Sequence, residues 1–414
     1  MIRAAVLMVC GLMPAIAQAQ SARTPVRGWF GSGRAGTGQG QSLSLIGRAF
    51  EVLDTGRDAV NPELQAGIRY DRQSRQRSFF FAADASSRRY AEFDGPAPVS
   101  YDATAGVAAN IGRRTRLQVI QGFRTSPFYL VTLAPRPDAA GSIDAASAPE
   151  SAGQHALFER HTRALTGTVA MTHLLARHTS VTLDYGFERA RTEATGFNSH
   201  YAKATLSQYL GRYAIARAGY GRRIVSRNGL QFNEKSVHDF DIGLDYNRPF
   251  SVSRRTKLMF ATGSALVPHD GGHRYRLLGT ASLSREIGRS WKAALDYGRN
   301  LEFVETFAEP LLSDSVGARL EGRITRRLNF TASANVSNGS VGFAGAGHAD
   351  NSYDTYGATA RLRWSISRLL TSQVEYVAYG QGFGSSVELP ERFGSEAKRS
   401  EIRVGLTLWA PLVR

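Results

Sequence analysis

Charged side chains occupy alternate positions in many segments of this sequence, and apolar side chains occupy the positions between them. In the segment SVTLDYGFE (180–188), Asp184 and Glu188 share one parity and the apolar residues take the other. Acids on the polar parity fall mainly in the earlier segments: Asp84, Asp102, Asp184, Glu188, Asp239, Asp241 and Asp245. Bases on that parity fall mainly in the later segments: Arg274, Arg276, Lys292, Arg319, Arg323, Arg361, Arg363 and Arg403. Arginine forks hold carboxylates and sugar hydroxyls, so these residues indicate contact with polar solutes.

Motifs for catalysis or cofactor binding are fragmentary. The string GSGRAG (31–36) matches a dinucleotide pattern and GFAGAG (342–347) nearly does, but neither follows a strand and opens a helix. His269 and His273 flank a short polar loop, and the sequence has neither H-E-x-x-H nor G-x-S-x-G. We therefore expect no cofactor, no metal and no catalytic residues. A rim-site hydrolase stays open as an alternative, because its residues would come from several strands.

The first residues have the features of a secretory signal. Arg3 is followed by a short apolar stretch, and Ala17-Gln18-Ala19 forms an A-x-A cleavage site. We predict a signal peptide over 1–19, a flexible Gly- and Arg-rich segment over 20–41, and one β-domain over 42–414. The single cysteine, Cys10, lies in the signal peptide, so the mature chain would have no disulfide framework.

The formal net charge of +16 does not by itself indicate nucleic acid. The 51 Lys and Arg residues are scattered singly or in pairs among 35 Asp and Glu residues. A nucleic-acid interface needs a basic patch or run, which this pattern lacks, so we expect no nucleic-acid partner.

The alternation has a period of two along most of the chain, which is typical of strands with one apolar and one polar face. Short connections built as an apolar residue, a small residue and arginine alternate with longer polar loops, as in Ile111-Gly112-Arg113 and Ile287-Gly288-Arg289. This alternation predicts an all-β fold, a transmembrane antiparallel up-and-down β-barrel with short periplasmic turns and long outer loops. Eighteen strands fit best and sixteen is the alternative, because the first and eighth strands are weak. A soluble β-sandwich would also alternate.

Aromatic residues on the apolar parity fall near both ends of the predicted strands. At the periplasmic ends they are Tyr70, Tyr246, Trp291 and Trp364. At the outer ends they are Tyr101, Phe187, Tyr220, Tyr275, Tyr297 and Tyr356. Two such belts are expected where a barrel meets lipid headgroups.

A barrel of sixteen or eighteen strands encloses a lumen too wide for its own side chains to fill. Its polar parity then lines water, and strands that close in chain order would give an acidic wall facing a basic wall. Such a transverse field would orient polar solutes and favour anions. The alternative interpretation is that the same charges pair across neighbouring strands.

The segment EIRVGLTLWA (401–410) resembles the C-terminal assembly signal of Gram-negative outer-membrane proteins, on Arg403, Gly405, Leu408 and Ala410. The resemblance implies recognition by the barrel-assembly machinery, although the chain ends on Arg414 and those proteins usually end on an aromatic residue. Trp409 falls on the lumen parity, so either the strand stops at Leu408 or the signal is a variant.

The length, the Arg-Arg turns and the ending RVGLTLWAPL are similar to the type 2 group of β-barrel porins, which includes barrels encoded with exopolysaccharide genes. The resemblance implies a channel in the outer membrane of a Gram-negative bacterium, which passes or exports a polar solute or polysaccharide. It also implies outer-membrane lipid and a polysaccharide export apparatus as partners. A structural or adhesive barrel that binds through its long loops is a further alternative.

Overall fold

The computed structural model describes residues 40–54, 59–89, 97, 99–128, 159–191, 196–211, 213–228, 235–250, 253–269, 272–302, 311–341, 351–385, 387 and 395–413. The predicted signal peptide and residues 20–39 of the predicted flexible segment lie outside these ranges. Among the described residues, no helix is long and apolar enough to cross a membrane.

The described residues form an 18-stranded antiparallel sheet in which each strand pairs with the next along the chain. The strands are β1 (Gly40–Asp54), β2 (Ala59–Gln73), β3 (Arg77–Arg88), β4 (Val99–Ile111), β5 (Thr115–Phe128), β6 (Glu159–Ala176), β7 (Thr179–Arg191), β8 (Gly196–Tyr209), β9 (Ala214–Asn228), β10 (Lys235–Phe250), β11 (Ser253–His269), β12 (Gly272–Ile287), β13 (Trp291–Glu302), β14 (Leu311–Arg323), β15 (Leu328–Val341), β16 (Ser352–Ser365), β17 (Leu370–Phe383) and β18 (Glu396–Val413). β18 also pairs with β1, which closes the sheet into a barrel. The predicted fold class is confirmed, with eighteen strands rather than sixteen.

The apolar parity faces outward around the barrel. Ile242 is 73% exposed and Val336 is 57% exposed, whereas inward residues on the same strands are less accessible. Outward residues of neighbouring strands lie side by side in register, as Tyr297, Val316, Val336 and Tyr356 do across β13 to β16. Apolar groups exposed over a whole outer surface are unfavourable in water and favourable against lipid, so the surface is that of a membrane barrel.

The short turns are built in two ways. Gly112 and Gly288 adopt positive φ values of 68° and 63°, which residues with a Cβ rarely reach. In two other short turns, a side-chain hydroxyl stabilises the turn by a hydrogen bond instead. Thr325 Oγ1 accepts from the amide of Leu328 at 3.1 Å, and Ser367 Oγ accepts from the amide of Leu370 at 3.0 Å. The small middle residue of the repeated turn therefore serves either by its conformational freedom or by its hydrogen bond.

We expect Gly288→Ala to lower the free energy of unfolding by about 1–2 kcal/mol, because alanine is strained in the left-handed region. Gly211→Ala is the matched control, since Gly211 lies in an equivalent turn, outside that region of φ, with open space where a Cβ would stand. Urea unfolding of both variants in lipid vesicles measures the difference. Equal stability of the two variants would contradict the role of Gly288.

The seam, defined as the β1–β18 pairing, runs from Leu43 opposite Val413 to Asp54 opposite Glu401. Of the assembly-signal residues, Arg403 and Gly405 lie on its inward face, while Leu408 and Ala410 lie on its outward face. The strand continues past Leu408 to Val413, and Trp409 stays on the inward parity, opposite Ile46. The continuing strand excludes a stop at Leu408.

Gly405 has a packing role at the seam. It lies opposite Phe50, and a Cβ at Gly405 would overlap the Phe50 ring and the carbonyl oxygen of Ala49. Phe50 is only 8% exposed, so the glycine lets a buried aromatic ring cover the junction of the first and last strands.

We expect Gly405→Ala to destabilise the folded barrel by roughly 1–3 kcal/mol, because the overlap is with backbone as well as with a ring. Gly47→Ala tests the same change on the outward face of the same seam, where nothing lies within 4 Å of the added Cβ. The temperature at which the unboiled band disappears on a gel reports the stability of each. A drop for Gly47→Ala as large as that for Gly405→Ala would show that the Phe50 contact is not the cause.

Candidate functional site

The polar parity lines the lumen, and the structure shows two different environments along it. Glu401 on β18 is 0% exposed and Glu375 on β17 is 2% exposed, although both lie on the inward face. By contrast, the side chains of Asp102 on β4 and Arg124 on β5, on the part of the wall that follows β3, are 46% and 68% exposed. The lumen is therefore closed to solvent along one side and open along another.

The closed side contains a group of buried ions that we call the seam cluster. Its members are Asp54, Glu63, Arg88, Arg361, Glu375, Arg399, Glu401 and Arg403. The cluster has four arginines and four carboxylates, contributed by β1, β2, β3, β16, β17 and β18. It therefore joins the first strands to the last strands from inside the barrel.

Glu401 is the centre of the seam cluster. Arg88 Nη2 donates to its Oε1 at 2.7 Å, and Arg403 Nη2 donates to its Oε2 at 3.0 Å. Arg399 Nε lies 3.2 Å from Oε1, and Arg399 Nη2 reaches Asp54 at 2.8 Å. A buried carboxylate that holds three guanidinium groups is stable only as part of such a network, because each charge alone would lose its hydration.

A second buried pair extends the cluster along β16 and β17. Arg361 donates to Glu375 Oε1 from Nε at 2.9 Å and from Nη2 at 2.6 Å. Glu375 also lies directly opposite Arg403 in the β17–β18 register, so it stands between two arginines. Toward the loop end of the same wall, the inward residues Ser315, Ser337 and Thr355 are each no more than 2% exposed.

Inward apolar residues close another part of the lumen near the loop ends. Ala190, Phe197 and Val225 pack together on β7 to β9, and Val237 packs with Ala265 on β10 and β11. None of these five is more than 5% exposed. Solvent-accessible lumen charges therefore lie mainly on other stretches of the wall.

The open side presents its charges to water. Arg124 Nε donates to Asp102 Oδ2 at 3.1 Å on β4 and β5, and Arg217 pairs with Asp245 at 3.3 Å on β9 and β10. Near the short-turn end, the inward residues Lys292, Arg319 and Arg323 are exposed on β13 and β14. Arg217 and Asp245 are half-buried, so the exposed charges of β4, β5, β13 and β14 are the ones that a solute in the lumen can contact.

The predicted acidic wall lies inward, and several of its members stand beside bases. Asp102 and Asp245 form the pairs just described, and Asp184 lies opposite Lys203. Asp84 lies opposite Asp102, and Asp239 lies opposite Gly221 and Ala265, so the structure does not gather all the acids into one cluster. Glu188 is inward on β7, and the side chain of Asp241 lies outside the described residues.

The predicted basic wall is divided between the two environments. Arg361 and Arg403 belong to the buried seam cluster, whereas Lys292, Arg319 and Arg323 are exposed to the lumen. Arg276 and Arg363 are half-buried on the inward face. The side chain of Arg274 lies outside the described residues. Paired charges and exposed bases thus coexist along the lumen wall, and the ion selectivity that they produce stays a prediction.

The sequence patterns did not single out Asp54, Glu63, Arg88 and Arg399, which complete the seam cluster. Each lies within a few residues of a strand end, where the alternation with apolar residues gives little signal. Closure of the barrel is the feature that could have pointed to Asp54, because the pairing of β18 with β1 places Asp54 opposite Glu401. Within the described part of the chain, no group of three or more His, Cys, Asp or Glu residues could hold a metal ion.

Comparison with known proteins finds similar barrels but no family. No protein-family model matches the chain, and no curated protein sequence matches it. The crystal structure of Pseudomonas aeruginosa OccK11 (OpdR) is similar, with 14% identity, a TM-score of 0.46, and coverage of 90% of this chain and 98% of that chain. Acinetobacter baumannii OccAB3 gives 11% identity and a TM-score of 0.46, covering 90% of this chain and 99% of that chain. Pseudomonas aeruginosa OccK2 (OpdF) in complex with glucuronate gives 9% identity and a TM-score of 0.46, covering 90% and 98%. Similarity at this level assigns neither a family nor a solute to this chain.

Proposed function

We propose that this protein is a channel in the outer membrane of a Gram-negative bacterium, through which polar solutes pass passively. The observation that carries the proposal is a closed 18-stranded barrel, apolar outside, whose inner wall presents water-exposed charges. A barrel of this size encloses more space than one wall of side chains can fill. The predicted signal peptide and the outward apolar surface both fit delivery to that membrane.

The closed side of the lumen limits the part of the wall that a passing solute can contact. The seam cluster and the buried hydroxyls of Ser315, Ser337 and Thr355 remove one side of the bore from the solute path. A solute would therefore pass along β4–β5 and β13–β14, where carboxylates and guanidinium groups are accessible. Such a path suits small polar solutes with carboxylates or hydroxyls, because charged side chains can replace part of their hydration.

The resemblance to the type 2 porin group adds two finer proposals. One is that the solute is an exopolysaccharide or a fragment of it, and the other is that a polysaccharide export apparatus is a partner. The assembly-signal residues Arg403, Gly405, Leu408 and Ala410 would be read by the barrel-assembly machinery. Seating of Phe50 over Gly405 supports a structural role for that glycine in addition to recognition.

Swelling of proteoliposomes tests the channel. Vesicles containing the folded protein are diluted into isotonic arabinose, glucuronate, a disaccharide or a trisaccharide, and swelling is followed by light scattering. We expect swelling with the monosaccharides, and none with heat-denatured protein. No swelling by any solute, with the barrel folded and inserted, would contradict the channel. Release of fatty acids or peptides from added substrates would instead favour the rim-site enzyme.

A further inference from the structure

Three outward-facing arginines lie together near the loop ends of β6 and β7. Arg163 lies directly opposite Arg191 in the β6–β7 register, and Arg189 lies opposite Leu165. Arg189 and Arg191 are two residues apart on β7 and therefore share the outward face. All three side chains are exposed. We call Arg163, Arg189 and Arg191 the arginine triad.

Among the side chains that the structure describes, the strand registers place no carboxylate opposite a triad arginine. The other neighbours are Thr125, opposite Arg163, and Asn198 and Gly196, opposite Arg189 and Arg191. Among the residues that the structure describes, none forms an ion pair with a triad arginine. Two guanidinium groups directly opposite each other repel, so the arrangement costs stability unless an anion is bound.

The outward face of the later strands shows a different arrangement. There Arg299 pairs with Asp314 at 3.7 Å, and Lys398 pairs with Glu396 at 2.8 Å. Each of these cations has its own acid on the same outer surface. The triad therefore differs from these two outward cations, each of which has an acid within ion-pair distance.

The position of the triad identifies the kind of anion. Phe187 and Tyr185 lie on the same outward face of β7, two and four residues before Arg189, and Leu165 lies opposite Arg189 on β6. Tyr185 also bonds through its hydroxyl to His200 Nδ1 at 3.0 Å. Aromatic rings with polar partners mark the level of lipid headgroups. The arginines just beyond them therefore stand where headgroup phosphates lie.

We propose that the arginine triad binds a phosphate group of a phosphorylated glycolipid, of the lipid A type, in the leaflet that surrounds the loop ends of the barrel. The inference rests on the proposed outer-membrane location and orientation. Side chains on directly opposite residues start about 5 Å apart, and those two residues apart on one strand start about 7 Å apart, so the forks can converge on one phosphate. Arginine suits this ligand because its planar fork binds phosphate oxygens in pairs.

Glycolipid binding to the folded protein in a neutral detergent tests the proposal. Native mass spectrometry counts the lipids retained when bisphosphorylated lipid A, or the same lipid after enzymatic dephosphorylation, is added. We expect the wild type to prefer the phosphorylated form by at least about tenfold. The triple variant Arg163→Gln, Arg189→Gln, Arg191→Gln should lose most of that preference. The matched variant Arg299→Gln with Lys398→Gln should keep it.

Equal binding of the phosphorylated lipid by the wild type and the triple variant would overturn the proposal, as would equal binding of the two lipids by the wild type. Heat-modifiable migration establishes that each variant is folded, and Arg189→Gln alone replaces the triple variant if the latter fails to fold. Lipid preference and solute swelling are independent readouts. Absent preference with intact swelling would refute only the triad, whereas absent swelling by the wild type would refute the channel.

Discussion

Glu401→Gln is expected to lower the free energy of unfolding of the barrel by about 3–5 kcal/mol, the cost of removing one partner from a buried ion group. The substitution keeps the size of the side chain and removes the charge that Arg88, Arg399 and Arg403 share. The three guanidinium groups would then be left with Asp54, Glu63 and Glu375 as the remaining acids of the seam cluster. Urea unfolding in lipid vesicles measures the loss, and the temperature at which the unboiled band disappears gives an independent readout.

Glu396→Gln is the matched control on the same strand. Glu396 pairs with Lys398 at 2.8 Å, but both side chains are about two-thirds exposed, at 68% and 66%. Exposed pairs contribute little, so its removal should leave the stability of the barrel close to that of the wild type. Equal effects of the two variants would show that burial of the Glu401 network does not hold the seam closed.

Arg319→Glu with Arg323→Glu is expected to shift ion selectivity toward cations. Both side chains are exposed on the inward face of β14, where passing ions can approach them. One unit charge at about 4 Å in water changes an ion's energy by about 1 kcal/mol, so the ratio of anion to cation permeability should fall about fivefold or more. The reversal potential under a salt gradient measures the ratio, and the shift should shrink at high ionic strength because of screening.

Arg113→Glu with Arg114→Glu makes the same change in net charge in the β4–β5 turn, beyond the wall of the lumen. We expect a much smaller shift for this pair. Arg361 and Arg363 are less suitable for charge reversal, since Arg361 is bonded to the buried Glu375 and its reversal would disrupt the seam cluster. An unchanged reversal potential for the Arg319 and Arg323 variant would show that the ion path does not run along β14.

The fold was predictable from the sequence because lipid and water impose opposite requirements on the two faces of every strand. A period of two persists wherever both requirements apply, as in FDIGLDYN (240–247), and this gave the number of strands correctly. Strand ends were less predictable. β6 extends from Glu159 to Ala176, whereas its alternation is clear only over 161–172, because backbone pairing continues where neither face meets lipid.

The environment of each lumen charge could not be predicted in the same way. Parity placed Asp102 and Glu401 on the inward face, but it does not distinguish a side chain 46% exposed from one 0% exposed. That difference depends on what packs over each position, which is a property of the closed barrel. The same limit applies to Arg403, which sequence alone placed in a wet basic wall and which the structure places against Glu401.

Single-channel recording in a planar lipid bilayer tests the proposed function most directly. If the barrel encloses a continuous aqueous path beside the seam cluster, the folded protein will produce discrete steps of ionic current on insertion. These steps will be absent with heat-denatured protein, and their selectivity will change in Arg319→Glu with Arg323→Glu. Folded, inserted protein that leaves the current at the level of the bare bilayer would contradict the channel.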